Sequence, residues 1–290
     1  MIKNIVLSSF QIEEIKKKAI EVRKVFGVYE DVPIASDIFM LLEKNNIILC
    51  EFPFQSSGKS HIDATLTRFE TNGEPIIFMG LNTSLHFDEQ IFAIAHELYH
   101  FITKTGKSYT EDMEEDPLNE RQADRFAAEL LLPGSALRTQ VILEFQTEHI
   151  TSVQYLRVLR FIARLQCEWW LPYRAIVNRL FEEGYIQKEL FQRLYKMEDR
   201  NEDSLYFRIF KALDPNKHML LNKRTGKKGV SGRAMEIILL NYEEGLMPDD
   251  EFVQLLAMFG KSPEDFGYEM SVASEDLEEI KDLLGGMNKC

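Results

Sequence analysis

The chain has 290 residues, 45% of them apolar, enough for one large or two smaller globular domains and not the composition of a disordered or low-complexity protein. Its formal net charge of −13 provides no global attraction for nucleic acid or an acidic membrane, so a partner selected by overall charge is basic and direct DNA binding is not expected. Three scattered cysteines, Cys50, Cys167 and Cys290, form no CxxC pair and argue against a disulfide framework or a thiolate metal site.

The opening MIKNIVLSSFQIEEIKKK passes quickly from apolar to charged, without the sustained apolar core and small-residue cleavage site of a secretion signal. No run has the length of a membrane span, so a soluble, cytoplasmic protein without membrane partners is expected.

In chain order, residues 9–26 predict a helix: Ile12, Ile15, Ala19, Val22 and Phe26 recur at threes and fours, and Ser9 is a candidate cap. A short helix follows Pro33, with Ile38, Leu41 and Leu42 on one side. Three strands are expected at 47–54, 61–69 and 76–81, the last two separated by the turn signal TNGEP. The next helix is expected to start near Asn82–Ser84, with Ile91, Ile94, Ala95, Leu98, Phe101 and Ile102 as its core stripe and Gly106 as its stop. After the acidic stretch 107–116, Asp116-Pro117 reads as the cap and first residue of a helix reaching about Leu132, which Pro133-Gly134 ends.

From about residue 150 only helical patterns remain. They comprise a tri-helical segment, 150–198, then a region, 199–290, with a basic run at 222–233 and two short helices split at GLMPDD. The expected organisation is therefore a first domain over 1–149, a tri-helical, helix-turn-helix-like domain over 150–198, and a helical regulatory or docking region over 199–290. Arg157, Arg160, Arg164, Arg174 and Arg179 are spread through the tri-helical segment, but a packing or docking scaffold is the expected role in so acidic a chain. The basic run lacks P-loop spacing and is expected to be flexible surface, and His149 and His218 are expected at the surface.

HELYH, 96–100, carries the chemistry. On a helix, positions i and i+4 lie about 40° apart, so His96 and His100 point the same way and can grip one ion, while Glu97 sits close enough to hold a water on it. This is the HExxH arrangement of two metal ligands and a general base, and the alternative is a helix that merely carries those letters. The discriminating feature is a third ligand. Glu120 and Asp124, one turn apart in NERQAD on the second capped helix, supply a candidate carboxylate ligand and a candidate acceptor for the imidazole N–H of a ligand histidine. A His/His/Glu set suits zinc, one ion per chain, although manganese, iron or cobalt can enter such a site.

HELYH followed by NERQADRFAAELLLP resembles the ImmA/IrrE family of metallo-endopeptidases, whose second segment reads ExxA(N/D)xFAxxLLxP. Glu120, Ala123, Asp124, Phe126, Ala127, Leu130, Leu131 and Pro133 fit it. The resemblance covers about residues 10–135, and the layout is also similar to thermolysin-like zincins. Tyr99 departs from the small residue usual before the second histidine. The resemblance implies a small zincin-like protease domain of a sheet and a few helices, so that with the three predicted strands and the helical patterns after residue 150 the expected fold is α+β, a three-stranded sheet packed on helices followed by an all-helical C-terminal region. It implies zinc held by His96, His100 and Glu120, with Glu97 as general base. It also implies a narrow substrate, a helix-turn-helix transcriptional repressor of a phage, mobile-element or stress-response system, cut to relieve repression. The alternatives are a non-proteolytic regulator that acts by binding a DNA-binding partner and a component of a toxin–antitoxin or defence cassette.

Tyr99, Tyr109, His61 and His86 are candidates to stabilise an oxyanion, and the strand at 61–69 is a candidate edge for strand addition by substrate. The acidic loop 107–116 is a solvated connection or a device that steers a basic repressor.

Overall fold

The computed structural model describes residues 6–29, 32–54, 63–69, 75–105 and 116–270. They form an α+β fold in two compact units, Met1–Lys227 and Lys228–Cys290.

The first unit opens with α1 (Ser9–Val25). Ser8, not Ser9, caps it, in a reciprocal capping box with Gln11. Ile15 and Ala19 are buried on its inner face, and so is Arg23, whose guanidinium donates to the backbone carbonyls of Leu130 and Tyr29, each at 2.6 Å. A buried arginine thus fastens the helix by satisfying carbonyls that would otherwise be unpaired.

Helix α2 (Ile38–Lys44) leads into β1 (Ile47–Phe52), followed by β2 (Ala64–Phe69) and β3 (Ile76–Asn82). β3 lies between the other two, parallel to β1 (Leu49 opposite Met79) and antiparallel to β2 (Leu66 opposite Met79). Leu49, Leu66, Met79 and Leu81 are buried in the core, as the period-2 alternation requires.

Helix α3 (Phe87–Thr103) begins later than its sequence predicts. Asn82 is the last residue of β3, and its side-chain oxygen accepts from the backbone N–H groups of Ser84 and Phe54, so it caps a turn instead of a helix. The N-cap is His86, in a capping box with Glu89. Ile91, Ile94, Ala95 and Leu98 are buried as expected, whereas Ile102 is exposed. Lys104, in the left-handed region at φ 54°, ends the helix two residues before Gly106, which lies outside the described residues. Helix α4 (Pro117–Leu131) starts at the expected Asp116 cap, whose carboxylate accepts from Leu118 N–H at 2.9 Å.

Pro133-Gly134 both ends α4 and starts α5 (Gly134–Phe145), a helix with no one-sided apolar stripe in its sequence. Helices α6 (Tyr155–Trp169), α7 (Tyr173–Glu182) and α8 (Lys188–Tyr195) make up the tri-helical segment. The region after them is more regular than its polar sequence suggests, with α9 (Leu205–Leu213) and α10 (Pro215–Leu221). The boundaries expected at 149/150 and 198/199 both fall inside the first unit. Val158, Ile162, Leu165, Ile176, Leu180, Tyr206 and Phe210 are buried in the same continuous core as Ile15, Ile94 and Phe126. His218 belongs inside too: it is buried edge-on to the rings of Phe207 and Phe210, and burial pushes its imidazole below its ordinary pKa. His149 is exposed.

Five of the six arginines of the tri-helical segment are engaged within the first unit, among them Arg193, which lies over the Tyr155 ring. Arg157 and Arg164 pair with Glu144 at 2.7 Å, and Arg174 lies over the Tyr195 ring. Arg179 is buried against Glu129 at 2.6 Å, in a network where Arg125 holds Glu182 at 2.6 Å and so ties α4 to α7. The start of α3 is tied to the later helices in the same way. Asp88 is fully buried and accepts from Arg200 Nη2 at 2.6 and 2.8 Å and from Gln166 Nε2 at 2.7 Å, and Gln166 in turn accepts from the Tyr206 hydroxyl at 2.7 Å. Residues 222–227 of the basic run are also fixed. Gly226 N–H donates to the Thr83 carbonyl at 2.9 Å, the Thr83 hydroxyl donates to Lys227 O at 2.8 Å, and Lys227 Nζ reaches the buried Glu51 at 2.5 Å.

The second unit contains a short strand, Gly229–Val230, and helices α11 (Gly232–Glu243) and α12 (Asp249–Met258). The rings of Tyr242 and Phe252 stack at 3.9 Å, and Tyr268 meets both edge-on. Among the described residues, no helix is long and apolar enough to cross a membrane, and Cys50 and Cys167 are free thiols.

Removing Arg200 leaves the Asp88 carboxylate buried without its cation. Arg200→Ala is therefore expected to lower unfolding free energy by about 3–5 kcal/mol in equilibrium denaturation, and a loss near zero would contradict the anchoring role.

Candidate metal centre

Helices α3 and α4 pack face to face, and the contact is made by the residues between their polar positions. Ala123, Phe126 and Ala127 are buried, and the Tyr99 ring lies 5.5 Å from that of Phe126. The Tyr99 hydroxyl donates to Gln122 Oε1 at 2.7 Å. The large residue at position 99 thus fills the seam and cross-links the helices one turn from the polar cluster.

His96, His100 and Glu120 meet at this seam. Each offers one ligand atom, and these atoms lie within 4.8 Å of one another. His96 Nε2 is 3.2 Å from Glu120 Oε2, His100 Nε2 is 3.3 Å from Glu120 Oε1, and the two Nε2 atoms are 3.1 Å apart. The far side of each ring faces an oxygen: His96 Nδ1 is 3.1 Å from Asp124 Oδ1, and His100 Nδ1 is 3.0 Å from Thr105 Oγ1. An ionised carboxylate only accepts, and one stands at each ring nitrogen of His96, so without a metal both N–H groups can donate; a metal taking Nε2 would leave the Nδ1 proton donated to Asp124.

The donor set fits a metal ion. Two imidazole nitrogens and a carboxylate directed at one point form a cluster of electron pairs, which a cation relieves. Charge distribution at the site agrees. Burial opposes a charge on His96, but the hydrogen bonds to Asp124 and Glu120 outweigh it and raise its pKa to about 10, so the cluster favours a positive charge at that point. The two imidazoles hold Glu120 well below the usual carboxylate range. Glu97 lies beside them, and burial raises its carboxyl above the ordinary value against the pull of both histidines and a hydrogen bond from the backbone of Leu66 on β2.

Of the candidates for an oxyanion donor, Tyr99 is committed to Gln122. His86 caps α3 ten residues before His96, about 15 Å along the helix, and bonds Glu89 at 2.8 Å. His61 and Tyr109, like most of the acidic loop, lie outside the described residues. Gln122, Thr103 and Thr105 also reach the site, although no motif marks them in the sequence. Thr103 Oγ1 donates to Tyr99 O at 2.7 Å and is 2.7 Å from Thr105 Oγ1. Thr105 reaches His100 because Lys104 turns the chain back, with Thr105 N–H bonded to His100 O at 3.0 Å.

Residues 42–193 match the profile of Peptidase_M78, the IrrE N-terminal-like domain. The chain belongs to this family. It is a metallopeptidase of the IrrE/ImmA type, and the match runs from the end of α2 into α8, spanning the sheet, the α3–α4 seam and most of the tri-helical segment. No curated protein and no solved structure matches the chain.

Two outcomes follow for this Peptidase_M78 domain. Asp124→Asn weakens the acceptor behind His96 and is expected to lower metal affinity by about 10–100-fold in chelator competition; unchanged affinity would exclude that support. Lys104→Gly relieves a left-handed residue and is expected to raise unfolding free energy by about 0.5–1 kcal/mol, whereas a loss would show that the Lys104 side chain outweighs its backbone cost.

Proposed function

We propose that the chain is a zinc-dependent endopeptidase that cleaves a helix-turn-helix transcriptional repressor at a specific site. The observation that carries the proteolytic reading is the His96–His100–Glu120 cluster, with a raised, part-buried Glu97 at its side.

His96 Nε2, His100 Nε2 and a Glu120 oxygen would hold the ion. Bound there, zinc supplies a Lewis acid that acidifies water and polarises a carbonyl. Glu97 is the general base: a carboxylate oxygen takes a proton from the attacking water and delivers it to the leaving amine nitrogen as the peptide C–N bond breaks. Water oxygen ends on the carbonyl carbon, so the products are a carboxylate and an amine, and no acyl-enzyme forms. A carboxyl raised above its ordinary value is suited to carrying a proton in both directions near neutrality. β2 is an edge of the strand order, and its Leu66 backbone bonds Glu97, so a substrate strand added along β2 runs past the base.

Support for a repressor as substrate comes from the family resemblance and from charge. A protein of net charge −13 attracts a basic DNA-binding partner, with a faster encounter at low salt.

The test is co-incubation of the zinc-loaded chain with helix-turn-helix repressors of its source genome, any encoded alongside it first, read by mass spectrometry. The wild-type chain is expected to cut at one position, and Glu97→Gln to keep full zinc content while cutting about 10²–10⁴-fold more slowly. An intact repressor whose DNA binding is altered equally by wild type and Glu97→Gln would replace proteolysis by regulation through contact.

A further inference from the structure

We infer that Thr105 and Thr103 are positioning residues that lock His100 in the tautomer with its Nε2 lone pair free for a metal ion. The inference rests on the metal-site reading given above and concerns a part of the site outside the ligand set.

The protons along a chain of hydrogen bonds can be counted from one end. A backbone carbonyl cannot donate, so in the 2.7 Å contact between Thr103 Oγ1 and Tyr99 O the threonine donates its only hydroxyl proton. Thr103 Oγ1 can then only accept in its 2.7 Å contact with Thr105 Oγ1, so Thr105 donates there. Thr105 has no second proton and can only accept in its 3.0 Å contact with His100 Nδ1. The proton of that contact must therefore sit on His100 Nδ1, which leaves Nε2 as the nitrogen that faces His96 and Glu120. One carbonyl, at the far end of a relay of two hydroxyls, dictates the protonation pattern of a ligand.

Every link is local. Thr103 bonds back to the carbonyl four residues earlier, as helical threonines do. Lys104 adopts the left-handed conformation and reverses the chain, so Thr105 stands beside the His100 ring. His100 is buried, with little water to serve as an alternative acceptor. The two ligand histidines are thus supported differently, His96 by the charged, half-exposed Asp124 and His100 by a neutral relay.

The experiment measures zinc affinity of the full chain by chelator competition between pH 5 and pH 8, for wild type, Thr105→Val, Thr105→Ser and Thr103→Val, with thermal melting as a check on folding. Val keeps the shape of Thr and removes the acceptor; Ser keeps the acceptor. Thr105→Val is expected to lose about 10–100-fold in affinity across the pH range, Thr105→Ser to stay within a few-fold of wild type, and Thr103→Val to fall between them. In the zinc-loaded wild type, the nitrogen-15 spectrum of His100 is expected to show a proton on Nδ1 and the metal on Nε2, a readout that requires no variant to fold. Thr105→Val binding zinc as tightly as wild type, or a proton found on His100 Nε2, would overturn the relay and leave the metal site standing. Failure of wild type to bind zinc at all would overturn both.

Discussion

Two imidazole nitrogens held 3.1 Å apart, with a carboxylate beside them, cannot all face one another as bare electron pairs and need a proton or a cation among them. Much of the first unit can be understood from this constraint. The seam between α3 and α4 has to bring like groups together and hold them there, so it is built from small and aromatic buried residues and closed by the Tyr99–Gln122 hydrogen bond. The groups behind the rings follow from the same need. Asp124 and Thr105 stand as acceptors for the outer ring protons, so a bound ion would find the inward nitrogens free to donate electron pairs.

The helices beyond α4 contribute to this placement. α4 is fixed against α7 by the buried Arg125, Arg179, Glu129 and Glu182 network, and the first turn of α3 is fixed by Asp88 to Arg200 and Gln166. Buried ion pairs contribute little net stability compared with a well-packed apolar substitute, but removing one partner is costly. Such pairs therefore define where two helices sit more than how strongly they are held. This explains why the family match continues through most of the tri-helical segment, and why the first unit extends to Lys227.

Features set by short-range geometry were legible in the sequence. The i, i+4 spacing put His96 and His100 on one face, the Asp116-Pro117 start placed α4, and alternation gave the three strands of the first unit. Glu120 and Asp124 stood out because they are a turn apart on a helix whose other face is apolar. Features that depend on a single backbone turn or on distant partners were not legible. Nothing in TKT signals that Lys104 takes a positive φ and returns Thr105 to His100. The pairing of Asp88 with Arg200 spans 112 residues. Asn82–Ser84 has the composition of a helix cap, but β3 uses Asn82 as its last residue and the cap passes to His86. α5 has apolar residues all round and so no periodic signal, and His218 lacks neighbouring ligands in sequence yet is enclosed by Phe207 and Phe210.

The central claim is that His96, His100 and Glu120 form one metal centre. X-ray absorption at the zinc edge, on chain loaded with zinc and freed of excess metal, tests it most directly. The account predicts one zinc per chain with two imidazole nitrogens and carboxylate oxygen at about 2.0–2.2 Å and no sulfur in the first shell. Zinc that washes away, or a shell containing sulfur at about 2.3 Å, would contradict it.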